Sequence, residues 1–110
     1  MIIDDESNFA DSLQFALVNE FTVSVAGSLK SAREALKMMS PAVILLDLHL
    51  QDGDGIEFLL EFKKFTKLPV VNIMAAYSTK ESFVKPTNKG AVDYLTKPID
   101  IETLQRELKK

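Results

Sequence analysis

Ala42-Val43-Ile44-Leu45-Leu46-Asp47 sets five apolar residues in a row and then an acid. A strand with one wet face alternates apolar and polar residues; a strand covered on both faces does not. The run therefore predicts a central parallel strand, Ala42 to Asp47, with a carboxylate at its carboxyl end. The flanking segments alternate in type. Upstream, Leu29 to Met39 predicts a helix with Ser28 as N-cap and Ala32, Ala35, Leu36 and Met39 on its inner face. Ser40-Pro41 is expected to stop it, because proline supplies no backbone N–H. Before Gly27-Ser28, Thr22 to Ala26 reads as a strand. Phe9, Leu13, Phe15, Ala16, Leu17 and Phe21 recur at roughly helical spacing, so Ser7 to Glu20 predicts a helix capped by Ser7. Met1 to Ile3 is a stub of strand. Downstream comes a polar loop, with Asp52 and Asp54 beside Gly53 and Gly55 as turn residues. A helix from Gly55 to Phe65 and a strand from Pro69 to Ala75, interrupted by Asn72, follow. Thr79 to Lys89 predicts a helix disturbed by Pro86, and Val92 to Thr96 the last strand. Ile99 to Lys109 predicts the last helix, with Asp100 near its start and Arg106, Lys109 and Lys110 toward its end, where cations suit the helix dipole.

The order is strand–helix, five times. It favours a doubly wound α/β fold: a five-stranded parallel sheet, (βα)5, with right-handed crossovers and helices on both faces. The 110 residues suffice for one domain, spanning 1–110, and not for two. With 46% hydrophobic and 26% charged residues, the composition is that of a globular domain. No cysteine is present, which excludes disulfides and thiolate metal sites. No apolar run approaches the roughly 20 residues of a membrane helix. Met1-Ile2-Ile3-Asp4-Asp5 lacks the basic and long apolar regions of a signal peptide. A formal charge of −3 and the lack of a basic helix give no reason to expect nucleic-acid binding.

In open α/β sheets, ligands sit outside the carboxyl ends of the strands. The first strand ends in Asp4-Asp5-Glu6, the third in Asp47 and the fifth in Lys97-Pro98. Three carboxylates, Asp4, Asp5 and Asp47, and one ammonium thus converge on one rim. Hard carboxylate oxygens suit Mg²⁺, and a divalent cation relieves their mutual repulsion. A cation and a lysine flanking one aspartate fit nucleophilic attack by a carboxylate on phosphorus.

Three motifs resemble those of response-regulator receiver domains: Ile2-Ile-Asp-Asp-Glu6, Leu45-Leu-Asp-Leu-His-Leu-Gln-Asp-Gly-Asp-Gly55 and Gly90-Ala-Val-Asp-Tyr-Leu-Thr-Lys-Pro-Ile-Asp100. The resemblance covers essentially the whole chain. The last motif is most similar to receivers of nitrogen-regulatory-type transcription activators. It implies the flavodoxin-like receiver fold and a regulatory domain, not an enzyme, in the cytoplasm. It implies Asp47 as phosphoacceptor, and Mg²⁺ held by Asp4, Asp5, Asp47 and the backbone carbonyl of His49. It further implies Lys97 as the phosphoryl contact, a Lys97-Pro98 bond that is commonly cis in the family, and Tyr94 as an aromatic that reorients on activation. The implied donor is a phosphohistidine on a sensor histidine kinase or phosphotransfer protein. A stand-alone receiver and a piece of a longer activator with ATPase and DNA-binding domains both remain open, as does a homodimer.

The chain departs from the family pattern in three places. The family places Ser or Thr at the end of the fourth strand; counting from Asp47, Lys97 or Tyr77 puts Ala75 there, and counting from Pro69 puts Met74. Neither side chain carries a hydroxyl, so a weakened switch is expected. Pro86 falls inside the expected fourth helix, on the family's signalling surface. The first strand has only three residues before Asp4. A phosphorylation-independent interaction module is therefore the alternative to a phosphoacceptor switch. A Mg²⁺-dependent phosphohydrolase is disfavoured: Asp47-Leu48-His49 lacks a second acid two residues after the nucleophile, and the length leaves little room for a substrate cap.

Overall fold

The computed structural model describes residues 1–61, 70–75, 93–97 and 99–108. The expected helix over 79–89, with Pro86, and the Lys97-Pro98 bond lie outside them. Strands β1 (Ile2–Ile3), β2 (Val25–Ala26), β3 (Val43–Asp47), β6 (Val70–Ala75) and β7 (Asp93–Thr96) form one sheet in the order β2-β1-β3-β6-β7. Every pairing in it is parallel, with Ile3 beside Leu46, Asp47 beside Met74 and Ala75 beside Thr96. The strands alternate with α1 (Ser7–Leu17), α2 (Leu29–Leu36), α3 (Gly55–Glu61) and α4 (Ile101–Leu108). The loop after β3 holds a short antiparallel hairpin, β4 (His49–Leu50) with β5 (Gly53–Asp54).

Each face of the sheet carries its own core. Ile3, Ile44, Leu46, Val71, Ile73 and Ala75 pack on one side with Leu29 and Ala32 of α2 and Phe58 and Leu59 of α3. Ile2, Leu45, Met74 and Leu95 pack on the other with Ala10, Leu13 and Leu17 of α1 and Leu104 of α4. Successive residues point to opposite faces of a strand, so the unbroken Ile44-Leu45-Leu46 run feeds both cores. Asn72 is buried within β6, and among the described residues no buried side-chain polar atom lacks a hydrogen-bond partner.

Several expected boundaries shift. Strand β2 is two residues long rather than five, because β1 offers only Ile2 and Ile3 for pairing. Helix α1 ends at Leu17: the N–H groups of Glu20 and Phe21 both turn back to the Leu17 carbonyl, which returns Phe21 to the core. Ser7 is not its cap. Glu6 holds the N-cap position without a side-chain cap bond, and its N–H donates to Asp4 Oδ1 at 2.9 Å, so Asp4 makes the turn. Helix α2 is capped by Ser28 in a reciprocal capping box with Ser31. It ends at Leu36, before Pro41 can act. Its last turn tightens as Lys37 donates to Glu34 and Met38 to Ala35. Met39 is consequently exposed, not on the inner face.

Candidate functional site

Alternation places the site. Ile2 faces the α1/α4 core and Ile3 the other, so Asp4 returns to the α1 side. Leu45, Leu46 and Asp47 repeat the step, and Lys97 stands two residues after Leu95, again on that side. Backbone bonds fix the rim: Asp4 donates to Ala26, Leu48 to Met74 and Lys97 to Ala75, at 3.0, 2.9 and 2.7 Å.

The four expected groups meet. Carboxylate oxygens of Asp4, Asp5 and Asp47 lie within 4.8 Å of one another. Asp4 and Asp47 are buried, 1% and 6% exposed. Lys97 Nζ donates to Asp4 Oδ2 at 2.9 Å and lies 3.7 Å from Asp47 Oδ2 and 3.9 Å from Glu6 Oε2. Burial works against the Lys97 ammonium, but the Asp4 hydrogen bond and the charges of Asp47, Asp4 and Glu6 outweigh it and hold its pKa above the ordinary lysine value. A raised pKa gives stability that is complete below the ordinary value and lost only as the pH rises beyond it. The ion pair is therefore intact throughout the neutral range.

Three parts of this arrangement were not read from sequence. Phe9, expected only as a core residue by its helical spacing, places its ring centroid 4.5 Å from Lys97 Nζ. The Gln51 N–H donates to Asp5 Oδ2 at 3.0 Å. Asp52 is more than a turn residue: its two oxygens accept from the N–H groups of Leu29 and Lys30, at 3.0 and 3.1 Å, and cap α2 from 22 or more positions away. The loop after β3 is thus tied to Asp5 through Gln51 and to α2 through Asp52. His49 opens β4 and its backbone pairs with Asp54. The side chains of His49 and Tyr94 lie outside what is described; the Tyr94 backbone pairs with Ile73.

The Asp52 bonds give a pH prediction. The Leu29 and Lys30 N–H groups hold its carboxyl below the ordinary value of 3.8. Such a shift contributes stability above that value and loses it as the pH falls through the lower, folded value. Asp52→Ala is expected to be less stable than wild type at neutral pH, with the gap closing in strong acid. Urea midpoints across the acid range check this; a gap that does not change with pH contradicts it.

The donor set suits a small hard cation. All three side chains offer oxygen, two of them almost without water. Asp4 Oδ1, Asp4 Oδ2 and Asp5 Oδ2 each accept one described hydrogen bond, which leaves each a second lone pair.

Comparison with known proteins agrees with this fold. The family model for the response regulator receiver domain matches residues 1–109. The chain belongs to that family. It is 34% identical over 111 residues to the transcriptional regulatory protein ZraR of Escherichia coli K12, matching 100% of this chain and 25% of ZraR. It is 34% identical over 110 residues to the KDP operon transcriptional regulatory protein KdpE of Escherichia coli K12, matching 99% of this chain and 48% of KdpE. The receiver domain thus spans between a quarter and half of these relatives' lengths. The crystal structure of the receiver domain of NtrX from Brucella abortus superposes with a TM-score of 0.90 at 26% identity, over 98% of this chain and 92% of that one. As a receiver, the chain is a regulatory domain that accepts phosphate on an aspartate, not an enzyme.

Proposed function

We propose that Asp47 is the phosphoacceptor of this receiver domain. The observation that carries the reading is the Lys97 ammonium 3.7 Å from the Asp47 carboxylate, beside a cluster of three carboxylates. An Asp47 oxygen attacks the phosphorus of the donor. The new P–O bond forms as the bond to the donor's leaving atom breaks. Lys97 offsets charge on the phosphoryl oxygens. Asp4, Asp5, Asp47 and the backbone carbonyl of His49 would hold Mg²⁺, which when bound neutralises charge on the transferring group. The donor is a phosphohistidine of a sensor kinase or phosphotransfer protein. The output is transcriptional, as the names of the ZraR and KdpE relatives suggest. Residues 1–110 form a single receiver domain of a cytoplasmic regulator; the ZraR and KdpE relatives extend well beyond the part that this chain matches, and a stand-alone receiver, a longer activator with ATPase and DNA-binding domains and a homodimer all stay open. The formal charge of −3 gives no reason to expect nucleic-acid binding by this domain itself. Among its described residues no helix is long and apolar enough to cross a membrane. Acetyl phosphate with Mg²⁺ is expected to add one phosphoryl group, seen as an increase in intact mass, and excess EDTA to abolish the adduct. An adduct that survives EDTA removes the metal from the reading.

One observation favours a second reading, a module that signals without phosphorylation. Strand β6 ends at Ala75, which is buried against the α2/α3 core and whose carbonyl accepts from Lys97 N–H. Met74, beside Asp47 in register, belongs to the α1/α4 core. Neither offers a hydroxyl to couple a phosphoryl group to the sheet. A hydrogen bond to a charged group is worth roughly 1.5–3 kcal/mol, of the size of a whole coupling energy between sites. Ala75→Thr is expected to enlarge the amide-exchange change that beryllium trifluoride produces. An unchanged response removes the hydroxyl from the explanation.

A further inference from the structure

Lys97 is held from more than one side. Its ammonium has the Asp4 carboxylate at 2.9 Å and the Asp47 and Glu6 carboxylates at 3.7 and 3.9 Å. Charge alone does not fix which acid it visits. Glu6 is solvent-exposed, with 66% of its side chain accessible, and a long lysine stem can swing toward such a partner and out of the pocket. The Phe9 ring stands at the same ammonium, 4.5 Å from centroid to Nζ. Phe9 rises from the first turn of α1, which is packed on the sheet through Ala10, Leu13 and Leu17, and it is itself partly buried in that core. Its position is therefore fixed by the fold rather than by the lysine. A π face attracts a cation within about 6 Å of the centroid, most strongly where water is excluded, and the Lys97 side chain is only 16% exposed.

We propose that Phe9 is a positioning residue for phosphoryl transfer, its ring holding the Lys97 ammonium between Asp4 and Asp47 and away from solvent-exposed Glu6. This rests on Asp47 as acceptor. The ring never touches the phosphoryl group; it acts by keeping the charge of Lys97 where the phosphoryl oxygens arrive. The ring is suited to this because it attracts the ammonium without offering a lone pair that would hold it permanently. Asp4 is then free to yield the ammonium to the incoming group while the ring keeps it in place.

The test compares wild type, Phe9→Leu and Phe9→Tyr. Leucine retains apolar bulk and loses the π face; tyrosine retains both. Two readings are taken: the rate of labelling by acetyl phosphate with Mg²⁺, from intact mass, and the proton shifts of the Lys97 side-chain methylenes. Phe9→Leu is expected to label about three- to tenfold more slowly, with the upfield ring-current shift of the Lys97 methylenes lost. Phe9→Tyr is expected to keep both near wild type. A merely structural Phe9 would not make labelling follow the ring-current shift across the two variants. Phe9→Leu labelling at the wild-type rate, or slow labelling in both variants with the Lys97 shift retained, overturns the proposal. Wild type that takes no label at all overturns the acceptor assignment instead, so the two failures are distinct.

Discussion

Lys97→Met is expected to slow labelling by acetyl phosphate on the order of 10²–10³-fold, the cost of removing one preorganised charge-stabilising donor. Methionine keeps most of the stem and removes the ammonium. The wild-type ammonium also offsets two buried acids, Asp4 and Asp47, at 2.9 and 3.7 Å. Without it they repel across a space with little water. Breaking a fully buried pair costs roughly 3–5 kcal/mol. Here Lys97 keeps some contact with solvent, so a loss of about 2–3 kcal/mol is expected. The same substitution removes a cation that competes for the carboxylates. Mg²⁺ should therefore bind Lys97→Met more tightly and raise its melting temperature by more than it raises that of wild type. Labelling rate, and melting temperature with and without Mg²⁺, check all three effects. A variant that labels at the wild-type rate would show that Lys97 is only a structural counter-ion.

Gly55→Ala is expected to damage both stability and labelling. A Cβ on Gly55 would lie 2.6 Å from the Asp47 carbonyl oxygen and 3.0 Å from that of Leu48. Both are backbone atoms at the end of β3 and cannot swing aside. Gly55 also begins α3 and donates its N–H to Leu48 O at 3.0 Å, so the helix start is pinned where the methyl would go. The strand end, the helix or both must move. Such overpacking costs roughly 1–3 kcal/mol, and the upper part of that range is expected here because the contacts are backbone. For a domain of this size each kcal/mol moves the melting temperature by about 4–8 °C. Displacing the Asp47 backbone also moves the acceptor. A shift of about 1 Å at a reacting group can cost on the order of a hundredfold in rate. Thermal melts and the labelling assay measure the two effects separately. A variant that is stable and labels normally would mean that the junction of β3 with α3 yields freely.

The sheet was legible because its central strand is written without alternation. Ile44-Leu45-Leu46 is apolar on both faces because both faces are covered. The rim was legible for a related reason: charge at the carboxyl ends of strands in one sheet, at Asp4, Asp47 and Lys97, has few structural excuses. The ends of α1 and α2 were not legible. Their apolar spacing continues past Leu17 and Leu36, and what stops them is the backbone turning back at Glu20 and Phe21, and at Lys37 and Met38. Strand β2 was overread because its length is set by β1, not by its own sequence. Asp52 looked like any turn acid beside glycine, since its partners lie 22 and 23 residues away. Phe9 was hidden by its own pattern. An apolar residue one turn into an amphipathic helix predicts core packing whether or not an ammonium lies against its ring.

The most direct measurement is the intact mass of the domain after incubation with acetyl phosphate and Mg²⁺, beside Asp47→Asn. The expected result is one phosphoryl adduct in the wild type and none in the variant, with peptide mapping placing the group on Asp47. An equal adduct in Asp47→Asn, or none in a wild type that still binds Mg²⁺, would contradict Asp47 as the acceptor.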